Sequence, residues 1–127
     1  MADSDADYDT GNVFARILRG EIPSRTLLET EHALAFHDIA PQAPVHALVI
    51  SKGPYRDLAD FAANATAVEQ AGFLAAVAEA VRLLGLAEGG FRAIANSGAH
   101  GHQEVPHFHL HLLGGRPLGP MLTRTGG

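Results

Sequence analysis

The chain has no cysteine. That single absence excludes disulfides, thiolate zinc sites and cysteine nucleophiles together. Apolar runs near the roughly 20 residues that a membrane span requires are also missing, so no membrane association is expected. Nor is there a basic stripe. Nine Lys and Arg stand against 14 Asp and Glu, a formal charge of −5, which is the wrong sign for a nucleic-acid surface. A nucleic-acid polymer is thereby set aside as a partner. A small phosphate-bearing ligand is not, because it needs only local donors. The stretch Met1 to Asp9 carries four Asp and no Lys or Arg, opposite in sign to a secretory or transit peptide, so a cytoplasmic address is expected.

What the chain has in quantity is histidine. Five of its eight histidines fall between His100 and His111, and three of these alternate in Pro106-His107-Phe108-His109-Leu110-His111-Leu112-Leu113. Successive side chains of a strand point to opposite faces, so His107, His109 and His111 share one face and Phe108, Leu110 and Leu112 the other. An imidazole row opposite an apolar row reads as a working surface laid on a core.

The rest of the chain supplies that core. With 46% apolar and 18% charged residues, 127 residues suffice for one globular domain, expected over 12–127 behind a flexible acidic tail over 1–11. Asn12 can cap a short helix carrying Val13, Phe14, Ile17 and Leu18, with Gly20 at its end. Thr26 to Glu29 and Ala33 to Asp38 read as a hairpin, and Val45 to Ile50 as a central strand beyond the Pro41–Pro44 interruption. Asp57 to Phe61 suggests a helical turn. Thr66 and Glu69 have the spacing of a capping box, followed by a helix with the stripe Phe73, Leu74, Val77, Val81 and Leu84, and Gly85 as its stop. Phe91 to Ala95 and His107 to Leu113 complete the strands. The predicted fold class is α+β, an antiparallel sheet of about five strands with one long helix and a short N-terminal helix.

Two chemistries suit the histidine row. Zinc requires nitrogens about 2.0–2.1 Å away, and the ends of an i, i+2, i+4 row lie about 13 Å apart, which makes three-point capture difficult. A two-histidine site completed from elsewhere stays open. The other chemistry is nucleotidyl or phosphoryl transfer, since neutral imidazole is a competent nucleophile and its neighbours can position it or donate to phosphate oxygens. Asn96, Ser97 and Gly98 could add donors.

The chain strongly resembles the histidine triad (HIT) family, in its Hint branch of purine nucleoside phosphoramidases. The His-x-His-x-His-x-x signature is matched by His107 to Leu113. Further stretches, in order, are FARILRGEIP (Phe14 to Pro23), AFHDI (Ala35 to Ile39), PQAPVHALVISK (Pro41 to Lys52), Asn96-Ser97-Gly98 and Leu113-Gly114-Gly115-Arg116. The resemblance covers about residues 12 to 119. It implies a homodimer with joined sheets, each subunit binding a purine nucleotide of AMP or GMP type beside the triad. No cofactor or metal is expected, since positioning and donors can stabilise the phosphoryl charge.

By position, the resemblance makes His109 the nucleophile, His107 and His111 its flanking triad members, and His46 a further histidine near the site. It gives Asp38 to the ribose hydroxyls, and Phe14, Ile17, Ile22, Phe36 and Ile39 to the base. Asn96 goes to the phosphate side, and Gln103, Glu104 and Val105 join the nucleotide-binding set. There are departures: His102 and Glu104 stand where the eukaryotic pattern has glycine and serine, and the C-terminal segment lacks the tryptophan of the animal members. A carboxylate at position 104 repels phosphate unless it turns away, so backbone N–H groups are the expected donors of that loop. The implied activity is hydrolysis of nucleoside 5′-phosphoramidates through a nucleotidyl-histidine. The alternatives are a dinucleotide hydrolase of the same family, or a nucleotide-binding regulatory protein with incidental catalysis.

Overall fold

The computed structural model describes residues 8–122. Residues 1–7 of the expected tail and 123–127 of the expected domain lie outside the described residues. Asn12 opens the first helix, Val13–Leu18 (α1). Its Oδ1 accepts from the Ala15 N–H at 2.9 Å, which satisfies one of the free donors of a helix start. Gly20 follows the last turn at φ +79°, a left-handed conformation that a Cβ disfavours.

Strands Thr26–Glu29 (β1), Ala33–His37 (β2) and Val45–Ser51 (β3) come next, then helices Leu58–Asn64 (α2) and Ala67–Leu83 (α3), and strands Phe91–Ile94 (β4) and His109–Gly114 (β5). The five strands form one antiparallel sheet in the order β1-β2-β3-β5-β4, with β3 central as expected. The helical turn expected after Asp57 extends to two turns, capped by the Asp57 carboxylate on Asp60 N–H. The capping box of Thr66 and Glu69 forms at the start of α3. Among the described residues no helix is long and apolar enough to cross a membrane.

Period-2 alternation divides the sheet. Ala33, Ala35, Val49 and Leu112 face α3, where Phe61, Phe73 and Phe108 lie with ring centroids 4.8–5.2 Å apart. Leu34, Phe36, Leu48 and Ile50 face the opposite way and pack with Phe14 of α1. Both faces of β2 and β3 are therefore covered, and the histidines lie on the α1 side.

Two expectations need correction. Leu74, placed in the buried stripe of α3, is 65% exposed, and the small Ala76 and Ala80 are buried instead. Helical residues advance about 100° per position, so the buried row is Phe73, Ala76, Ala80 and Val81, and Leu74 turns out of it. The strand expected from His107 begins at His109. Its partner β3 ends at Ser51, and the Phe108 N–H donates to the Tyr55 carbonyl, outside the β3 ladder. His107 is thus an anchor ahead of the strand.

Candidate active site

β5 runs antiparallel to β3 with His109 opposite Ile50 and His111 opposite Leu48. The register presents both imidazoles to the α1 face. His109 is nearly buried, edge-on to Phe14 at 4.9 Å and to His111 at 5.1 Å. His107 is wholly buried beneath them.

Hydrogen bonds decide which ring nitrogen carries each proton. His109 Nδ1 lies 2.6 Å from the His107 carbonyl. A carbonyl can only accept, so Nδ1 donates and Nε2 keeps its lone pair. His107 Nε2 lies 2.7 Å from the Ser51 carbonyl and donates likewise. The Gln42 backbone N–H donates to His46 Nδ1 at 3.0 Å, so neutral His46 carries its proton on Nε2, 3.0 Å from His111 Nδ1. His111 accepts there and carries its own proton on Nε2. The outcome is two adjacent rings of opposite character, a lone pair on His109 and a donor on His111.

Electrostatics reinforces this. Burial, with the neighbouring His109, pushes His107 down to about 4 despite its hydrogen bond to the Ser51 carbonyl. Burial, then His109 and His46, take His111 down to about 4 as well. Burial also lowers His109, against the opposing pull of its bond to the His107 carbonyl and of Asp38 and Glu104. All three triad rings are therefore neutral at pH 7, as a nitrogen nucleophile requires.

A cleft of about 650 Å³ opens over these rings. Of the residues predicted for the site, His109, His111, Asp38, Asn96, Glu104, Val105, Phe14, Ile17, Ile22, Phe36 and Ile39 line it. Ile39 is 94% exposed at its rim, which leaves apolar surface for a flat ligand to cover. Three predicted residues stand behind the wall. His107 supports His109, and His46 supports His111. Gln103 accepts from Gly98 N–H at 2.9 Å and donates to the Arg56 and Val105 carbonyls at 2.6 and 2.9 Å, stapling its loop. The Glu104 side chain is exposed and pairs with His102 at 3.6 Å.

Asp38 divides its carboxylate. Oδ1 accepts from Ala40 N–H at 2.8 Å and closes the turn, while Oδ2 lies 3.4 Å from His46 Nε2. The ligand atoms of Asp38, His46 and His111 lie within 4.8 Å of one another, a donor set a divalent ion could use. Any such ion would displace the proton between His46 and His111.

Sequence reasoning missed Val13, Pro23, Gln42, Leu48, Gly101 and His102 as cleft residues. Gln42 had a faint signal: Pro41 and Pro44 lack N–H groups, so in that turn only Gln42 and Ala43 can donate. A second cavity of about 550 Å³, between the α3–β4 turn and Gly114 to Leu118, carries Arg92 and Arg116 but no imidazole.

Comparison with known proteins agrees with this architecture. The model of the HIT domain matches residues 19–118. An uncharacterized 13.2 kDa HIT-like protein of Azospirillum brasilense is 61% identical over 92% of this chain and 96% of its own. The purine nucleoside phosphoramidase of Escherichia coli K12 is 44% identical over 90% and 95%. A crystal structure of a HIT family hydrolase from Legionella pneumophila superposes with a TM-score of 0.77 at 39% identity, covering 84% of this chain and 95% of that one.

Proposed function

The chain belongs to the HIT family, and from that premise we propose that it hydrolyses purine nucleoside 5′-phosphoramidates of AMP or GMP type through a nucleotidyl intermediate on His109. The observation that carries the proposal is the pairing of tautomers: a buried lone pair on His109 and a donor on His111 line one cleft. The likeness to the Escherichia coli phosphoramidase supports the choice of the P–N bond.

His109 Nε2 attacks the α-phosphorus as the P–N bond breaks. The phosphate anion in the cleft favours the charged form of His111, which takes a proton from solvent at Nδ1 as its contact with His46 gives way, and then gives its Nε2 proton to the departing amine. A water next attacks phosphorus, its proton returns to His111, and the electron pair of the N–P bond returns to His109. The positive charge that develops on His109 meets the carbonyl of His107 at Nδ1. Asp38 Oδ2 takes the ribose hydroxyls, and Phe14, Ile17, Ile22, Phe36 and Ile39 enclose the base. Asn96 and the backbone of Glu104 and Val105 donate to the phosphate. Nucleotides are cytoplasmic metabolites, so the reading carries a cytoplasmic address with it. A homodimer is part of the proposal, supported by the open edge of β4 with half-exposed Phe91 and by exposed Val68 and Leu74 on α3.

The test is His109→Ala. It is expected to abolish turnover of a tryptamine adenosine phosphoramidate while retaining fold and AMP binding, and mass spectrometry of quenched wild-type enzyme should find adenylylated His109. A variant that keeps more than a small fraction of wild-type kcat overturns the nucleophile.

A further inference from the structure

Tyr8 precedes the first helix and was expected to be tail, yet its hydroxyl lies 2.5 Å from Nδ1 of His107, 99 positions away in the chain. Its ring is edge-on to the same imidazole at 5.7 Å. Because His107 donates through Nε2 to the Ser51 carbonyl, Nδ1 holds a lone pair, and the phenol is its donor. Asn12 Nδ2 donates to the Tyr8 oxygen at 3.0 Å, occupying one lone pair and aiming the phenolic proton at His107. Burial raises the Tyr8 hydroxyl above its ordinary value, so it remains protonated.

We propose that Tyr8 is a positioning residue of the triad: its hydroxyl locks His107 in the tautomer and orientation that hold His109 Nε2 free for attack. This rests on the phosphoramidase reading above. His107 is wholly buried, and its ring is fixed at one end by Ser51 and at the other by Tyr8. Its backbone carbonyl is the partner of His109 Nδ1 at 2.6 Å, so the anchored ring holds in place the segment that orients the nucleophile. The opposite tautomer would set a lone pair against the Ser51 carbonyl. Asn12 extends the device, since its Oδ1 caps α1 and so fixes Phe14 against His109. One short N-terminal segment thus braces the row from beneath and from the side.

The experiment uses the full chain with Tyr8→Phe, which keeps the ring and deletes only the donor. Loss of a donor to a buried acceptor is expected to lower kcat about tenfold, with KM for the adenosine phosphoramidate within about twofold of wild type. Nitrogen NMR of the histidines is expected to show the His107 Nδ1 signal shifting as its lone pair loses the phenol donor, while thermal unfolding stays within a few degrees. A retained kcat overturns the proposal, as does a lost kcat with the His107 nitrogen signals unmoved. Retained turnover in His109→Ala instead overturns the reading on which it rests, and the nitrogen spectra separate the two failures.

Discussion

Replacing Asp38 with alanine removes two interactions that can be measured apart. Oδ1 holds the Ala40 N–H at 2.8 Å, a turn contact at an exposed backbone group. Its loss costs about 1 kcal/mol, or about 4 °C in the unfolding midpoint of a domain this size. Oδ2 faces the cleft beside His46, where the proposed ribose diol would donate to it. Charge-assisted hydrogen bonds of that kind are worth about 1.5–3 kcal/mol, so KM for a ribonucleoside phosphoramidate is expected to rise about 10- to 150-fold. A 2′,3′-dideoxy analogue has no diol to lose, and its KM is expected to stay within about threefold of the wild-type value. The assay is steady-state kinetics on the two substrates, with calorimetry on both proteins. Equal losses on the two substrates, accompanied by the lowered midpoint, would make Asp38 a turn residue and refute its role in recognition.

Three further outcomes follow from the same site. His107 falls from 6.5 unfolded to about 4 folded, so between those values the unfolded chain binds more protons and stability falls as pH falls. Urea unfolding at pH 7 and pH 4 should therefore differ by about 3 kcal/mol from this residue alone, and a flat profile would contradict its burial as a neutral ring. Exhaustive chelation should leave kcat unchanged, since the proposed steps use only imidazole nitrogens and water; activity lost on chelation and restored by zinc would point instead to an ion held by Asp38, His46 and His111. Light scattering at micromolar protein should give a dimer, and a monomer would leave the β4 edge and the exposed Leu74 without their proposed cover.

Much of the sheet and half of the site could be read from the sequence because their signals are local. The alternation over 107–113 assigned His109 and His111 to one face and Phe108 and Leu112 to the other. Asn12, Thr66, Glu69 and Gly85 marked helix ends through contacts three or four residues long. Leu74 misled because a stripe counted by hydrophobicity admits a leucine one position off the buried row, where alanines did the packing. The start of β5 could not be read because it depends on where β3 stops. The long-range bonds were also illegible. His46 meets His111 across 65 positions and Tyr8 meets His107 across 99, and such pairs leave no period in the chain. Gln103 shows the same limit: the resemblance put it in the nucleotide-binding set, while its amide is engaged with Gly98, Arg56 and Val105.

The two rings of the proposed chemistry are therefore fixed by different kinds of structure. His109 owes its free nitrogen to the carbonyl two residues before it, a contact within one short segment. His111 owes its tautomer to His46 on the neighbouring strand, and His46 owes its own to a backbone N–H in the Pro41–Pro44 turn. The same turn begins at Asp38, whose second oxygen touches His46. Ligand contact at Asp38 is thus one side chain away from the proposed acid, whereas the nucleophile is braced from the opposite end by Ser51 and Tyr8. A substrate that grips Asp38 can bias the proton on His111 without disturbing the lone pair on His109. Recognition and proton delivery share one arm of the network, and nucleophilicity has the other to itself.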